Sequence, residues 1–287
     1  MIRLITLTTL YFTVVCFPFL SLPQASKSHY GKFSESQWWI GLRIGLNQYK
    51  GTGDNTYTTA TILSNDDSPK TTSYGKFDDL GWSLGLELTY DLPFLSFSFL
   101  PKFRVSTFDY SWTITRTSST ETVMNIYNQE TEIQSFSLPL QARCVFLQDK
   151  KFKPSLFVGA YIDIVNYSLA SITTQEVQTN TVSNTSTTSE ESFLNSIIIS
   201  NKLNPINYGV YGGVGFTYDI NNIRVGLDMS YQVGLSNMAD EDTRFNDNDL
   251  NTIDGALDDF KLQAMQVELT VGMPLKFIYD RAYNRVR

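Results

Sequence analysis

The sequence predicts an all-β protein: an eight-stranded antiparallel transmembrane β-barrel with long outer loops and short periplasmic turns. Three observations carry that prediction. The amino terminus reads as an export signal with no helical span after it, eight segments alternate apolar and polar residues, and their connections alternate long and short. The chain has 287 residues and a formal net charge of −7.

Residues 1–25 place Arg3 ahead of an uncharged apolar run from Leu4 to Leu22, followed by small residues. That is the pattern of a cleaved secretory signal peptide, and it leaves 26–37 as a periplasmic segment before the first strand. No later uncharged apolar stretch reaches the ~20 residues a spanning helix needs. Cys144 is the only cysteine after the signal, so a stapled disulfide scaffold is excluded. The expected location is the outer membrane, with its lipid as the first partner.

The strands follow in order. In "WWIGLRIGLNQY" (38–49), Trp38, Ile40, Leu42, Ile44 and Leu46 share one face, with Gly41, Arg43, Gly45 and Asn47 on the other. Period two is the side-chain period of a strand; on a helix these residues would scatter. "LGWSLGLELTYDLP" (80–93) repeats the pattern, with Glu87 inside its polar row. "FSFLPKFRV" (97–105) sets Phe97, Phe99, Phe103 and Val105 against Lys102 and Arg104. The next apolar row, Phe108, Tyr110, Trp112 and Ile114, has the opposite parity, which predicts a bulge at Ser106–Thr107. "SFSLPLQARCVF" (135–146), "SLFVGAYIDIVNY" (155–167), "YGVYGGVGFTYDI" (208–220), "IRVGLDMSYQVGL" (223–235) and "MQVELTVGMPLKF" (265–277) complete the set. The barrel is therefore expected over 38–277, with a basic tail at 278–287.

The connections run over 50–79, 91–96, 116–134, 147–154, 168–207, 221–222 and 236–264, long and short by turns. Short periplasmic turns facing long outer loops are a feature of membrane barrels. The polar rows hold Gly, Ser and isolated charges rather than the many Lys and Glu of a wetted surface. The apolar rows end in Trp38, Trp82, Tyr90, Tyr218, Tyr231 and Phe277, as interfacial girdles would.

The polar rows bring Arg43, Lys102, Arg104, Arg143, Arg224 and Lys276 into one interior with Glu87, Asp163, Asp228 and Glu268. Buried charges persist when paired, so these ten residues are expected to form a lumen charge network. Eight strands enclose a space just wide enough for side chains, which excludes a general porin.

"SFSLPLQARCVF", "KPSLFVGAYI", "NPINYGVYGGVGFTY" and "VELTVGMPLKF" resemble the outer-membrane β-barrel family of Bacteroidota that includes PorT-like proteins. The resemblance covers Trp38 to Phe277 and rests on Pro139, Lys153–Pro154 and the glycines at 209, 212, 213 and 215. It implies a non-catalytic component of the type IX secretion or gliding machinery, with secretion-machinery proteins as partners. A stand-alone surface-binding or adhesion barrel acting through its outer loops is the alternative.

Catalysis has little support: His29, the only histidine, precedes the first strand. Residues 240–259 carry eight acids against Arg244, a net of −7. Such acidity excludes nucleic acid as a partner. Asp247, Asp249, Asn251 and Asp258 partly follow the spacing of a calcium loop, but Thr252 stands where the loop requires Gly. A Ca2+ site there competes with a plain solvated acidic loop, and no other cofactor is expected. The apolar island "FLNSIII" (193–199) reads either as a contact surface or as strand packing above the membrane.

Overall fold

The computed structural model describes residues 38–275 except 56–69, 78, 93, 148–149, 181–182, 184, 190–191, 221 and 246–255. The signal peptide, the 26–37 segment, Lys276, Phe277 and the basic tail lie outside the described residues. The strands are β1 (Trp38–Asn55), β2 (Lys70–Tyr74), β3 (Leu80–Asp91), β4 (Leu95–Phe99), β5 (Lys102–Thr117), β6 (Glu121–Ser137), β7 (Leu140–Val145), β8 (Phe152–Asn180), β9 (Thr185–Thr188), β10 (Ser192–Ile198), β11 (Ile206–Ile220), β12 (Ile223–Gly234) and β13 (Asp259–Pro274).

Eight of these paths close a ring. β1 pairs with β13 on one side and β3 on the other. β3 pairs with β4 and then β5, which continue one another past Leu100–Pro101. β6 and β7 form the next path, interrupted at Leu138–Pro139, and lie against β8. β8 pairs with β11, β11 with β12, and β12 returns to β13. Every neighbouring pair in the ring is antiparallel, so the spanning wall has no open edge.

The lower half is built for lipid. Leu42 is 62% exposed, and Leu86, Phe97, Leu140, Val158, Val214 and Val271 also point outward. On β1 this belt runs from Trp38 to Leu46, matching the roughly 9–11 residues that a tilted spanning strand needs. Trp38 packs against Tyr90 at the periplasmic rim, with ring centroids 4.8 Å apart and the planes tilted by 47°. Trp82 meets Phe103 at 5.8 Å near the other rim.

Above the belt the two faces exchange character. On β5 the even positions face inward throughout. They pass from Lys102, Arg104 and Ser106 to Phe108, Tyr110, Trp112 and Ile114, all buried. The outward positions change from Phe103 and Val105 to Thr107, Asp109, Ser111 and Thr113. No bulge occurs at Ser106–Thr107, because β5 and β6 pair without a shift from Lys102↔Ser137 to Thr117↔Thr122. The reversed parity has another cause: water replaces lipid outside, and an apolar core replaces the polar lumen inside. The irregularity lies on β8, where Asn166 is skipped between Gln134↔Tyr167 and Ser135↔Val165. It switches the buried positions of β8 from odd (Phe157, Tyr161, Asp163) to even (Ser168, Ala170, Ile172).

The outer connections are correspondingly more ordered than loops. Residues 116–134 are not one: β5 and β6 run on to a tight turn at 118–120. From Thr107 to Thr117 the hairpin extends about 35 Å along the strand at ~3.3 Å per residue. β2 lines β5, while β9 and β10 line β8. Within the island 193–199, Ile197 and Ile199 are buried in the upper core, so this segment packs as strand. That core also takes in Tyr49, Ile172, Leu203, Met238, Leu257 and Phe260.

Candidate functional site

The interior is layered from the periplasm outward. At the periplasmic mouth the Arg224 guanidinium lies 3.9 Å from the Trp39 ring. It donates to Asp91 at 2.8 Å and Asp219 at 2.9 Å, and Lys153 reaches Asp219 at 2.6 Å. Arg224 therefore does not join the central charges. Its partners sit at strand ends beside the short turns, where Asp91 continues the inward row of β3 and Asp219 that of β11.

The central layer gathers around Arg43, which is 2% exposed. Arg43 donates to Glu87 at 2.9 Å, to Asp228 at 2.5 Å and to Glu268 at 3.0 Å. Lys102 Nζ donates to Glu268 at 2.6 Å and Gln266 at 3.1 Å. Arg143 donates to the same Asp228 oxygen at 2.5 Å. The register explains why the cations are needed. Asp228 and Glu268 are direct cross-strand partners, and like charges placed so are repulsive; Arg43 bridges them. Glycines make the room: a Cβ on Gly215 would lie 2.8 Å from Arg143 Nη1 and 2.3 Å from Asp228 Oδ1.

One step further out Arg104 pairs with Asp163 and donates to Gln232 at 3.1 Å. Its guanidinium lies over Tyr49 at 5.1 Å and Tyr161 at 5.8 Å. A cavity of about 20 Å³ adjoins this pair, lined in part by Asn207, Ser236 and Met238. That holds one or two waters and no larger ligand. In these two layers four cations (Arg43, Lys102, Arg104, Arg143) meet four carboxylates (Glu87, Asp163, Asp228, Glu268). Among the described residues the interior is thus a charge-balanced plug of packed side chains.

The apolar core then seals the outer end. Within it Asp258, 1% exposed, accepts from Tyr110 Oη at 2.6 Å and Lys70 Nζ at 3.3 Å. Lys70 also sits 5.9 Å from the Trp112 ring. Asp259 pairs with Arg244. Asp258 is thus an interior partner, a role the calcium-like spacing concealed, and Asp259 is a half-buried partner of Arg244. Asp247, Asp249 and Asn251 lie outside the described residues, as do His29 and Lys276. Sequence reasoning missed Lys70, which lies in an outer connection, and Asp91, Lys153 and Asp219, although these three continue the inward parity of β3, β8 and β11 to the strand ends.

The family model described as "outer membrane protein beta-barrel domain" matches residues 24–240. Among solved structures, neisserial surface protein A aligns at 13% identity and a TM-score of 0.34, covering 84% of this chain and 98% of that one. The attachment invasion locus protein of Yersinia pestis aligns at 11% identity and 0.27, covering 83% and 99%. The outer membrane protease OmpT of Escherichia coli aligns at 7% identity and 0.29, covering 86% and 98%. No curated protein sequence matches the chain.

Proposed function

The chain belongs to the outer membrane protein β-barrel domain family, and from that premise we propose that it is a non-catalytic surface-binding barrel acting through its outer extension. It resides in the outer membrane. The observation that supports this reading is the double seal: an ion-paired plug below and an apolar core above. With transport closed off, the large feature left to meet a partner is the polar outward face of β5, β6 and β8. That face displays Ser111, Thr113, Asn128, Glu130 and Thr173 on a rigid sheet. The non-catalytic reading is supported by the interior carboxylates, each engaged by a cation.

The second reading is a PorT-like component of a protein secretion or gliding machinery. Besides the resemblance, one feature favours it. Leu147, 59% exposed, and the half-exposed Leu92 sit at the periplasmic turns, where apolar side chains suit a partner within the envelope.

Shortening the outer segments cannot test either reading, because Ile172, Ile197, Leu203, Met238 and Phe260 would leave the core with them. The informative variant is Ser111→Lys/Asn128→Lys, which alters only the outward face. In a gene deletion, loss of cell attachment to surfaces that wild type restores and this variant does not is the expected result. Loss of protein secretion, rescued equally by both forms, would replace the binding reading with the secretion reading.

A further inference from the structure

We infer that the outward face of the outer extension is a self-association surface, on which a second copy of this chain docks antiparallel from a facing membrane. This partner rests on the surface-binding reading. Cross-strand register sorts the face into four successive rows. Ser111, Asn128 and Thr173 form the row nearest the membrane, and Thr117, Thr122 and Thr179 the row at the tip. The two rows between them hold apolar residues. Ile126 lies between Thr113 and Gln175, and Met124 between Thr115 and Val177. β2 widens the face with Ser73 and Thr71, and β9 with Thr188 and Ser186.

Met124, Ile126 and Val177 have no membrane to meet. Ile126 lies opposite Thr113, which is about 26 Å along β5 beyond Val105 at ~3.3 Å per residue. Acyl chains do not reach that far. Nor do these side chains enter the upper core, because Trp112, Ile114 and Tyr127 occupy the inner face of the same strands. They remain partly exposed, an apolar centre inside a rim of hydroxyls and amides. That make-up is the one found at protein interfaces.

Symmetry selects a second copy as the occupant. A twofold axis through β6 lays the tip row of one copy over the first row of the other, polar on polar. The same axis exchanges the two middle rows, apolar on apolar, as an isologous contact requires. Among the described residues the four rows carry no charge, so a chain of net charge −7 meets itself here without like-charge contact. Parallel pairing within one membrane lacks that advantage. It would set Glu130, one step below Asn128, against its own copy across sheets stacked ~10 Å apart, about one Debye length. In the antiparallel overlay Glu130 passes beyond the partner's tip.

Sixteen outward positions make up the face. At ~4.8 Å between strands and ~6.6 Å between rows they cover about 500 Å². A pair therefore buries about 1,000 Å², the lower bound for a specific interface. One such contact is weak; many between two membranes act together.

The test is sedimentation of the refolded chain in lipid nanodiscs holding one barrel each, whose rims keep parallel barrels from meeting side by side. Wild type should shift to paired discs as its concentration rises. Ile126→Lys/Val177→Lys should need at least about tenfold more protein to pair. Thr115→Lys, which removes no apolar residue, should weaken pairing too, and it keeps the test decisive should the double variant fold badly. Glu241→Lys, exposed and outside the four rows, changes the net charge as the double variant does and should pair like wild type. Concentration-independent sedimentation of wild type, or pairing indifferent to the face variants, overturns the self-association surface. Pairing of loaded discs with protein-free discs also overturns it, because the partner would then be lipid. The surface-binding reading fails separately, if Ser111→Lys/Asn128→Lys restores cell attachment as wild type does.

Discussion

Arg43 Nη2 lies 2.5 Å from Asp228 Oδ2, although 185 positions separate the two residues in the chain. The same oxygen accepts from Arg143 at 2.5 Å. A bond of this span forms only when the ring closes, so the central ion pairs report on assembly of the whole barrel.

Arg43→Met should destabilise the barrel by about 3–5 kcal/mol, since it leaves Glu87 without a cation and leaves Asp228 and Glu268, which repel each other across the strands, with only Arg143 and Lys102. Glu87→Gln should cost less, about 1.5–3 kcal/mol, because Arg43 keeps Asp228 and Glu268. Urea titration in lipid vesicles, read by tryptophan fluorescence, checks the order; equal midpoints for wild type and Arg43→Met would refute the plug.

Trp112→Ala should cost about 3–5 kcal/mol of packing, confined to the outer extension. The Trp112 ring stacks on Tyr127 at 5.0 Å and has no exposed surface. We expect protease to cut the β5–β6 hairpin of this variant while the heat-modifiable gel shift of the barrel persists. Simultaneous loss of both would show that the two layers unfold as one.

Two neighbouring glycines should differ. A Cβ at Gly213 would meet the Met229 carbonyl oxygen at 2.0 Å, whereas at Gly212 the nearest atom is 3.4 Å away. Gly213→Ala should lower refolding yield through overpacking of about 1–3 kcal/mol or more, and Gly212→Ala should refold like wild type. Similar yields for the pair would contradict the register of β11 with β12.

Calcium should leave the unfolding midpoint where a chelator leaves it, because Asp258 is engaged by Lys70 and Tyr110. Asp258→Ala should be destabilising in either condition. A calcium-dependent rise in midpoint that vanishes in Asp258→Ala would instead establish a metal site.

The sequence by itself determined the spanning strands, their lipid and lumen faces, and the inward set Arg43, Glu87, Lys102, Arg104, Arg143, Asp163, Asp228 and Glu268. Alternation is a local property, set by successive Cβ atoms pointing to opposite faces, so no distant contact is needed to read it. Only the tertiary structure decided which cation meets which carboxylate, and that Arg224 belongs with Asp91 and Asp219 at the periplasmic mouth. Asp219 is the local cross-strand partner of Arg224 in the β11–β12 hairpin, whereas Asp91 and the central partners come from strands brought together by ring closure, which no single segment encodes. The parity change at Phe108 was visible in the chain, yet its meaning depends on what lies on each side of the sheet. A bulge and an exchange of lipid for water produce the same sequence pattern, and only the unbroken β5–β6 ladder distinguishes them.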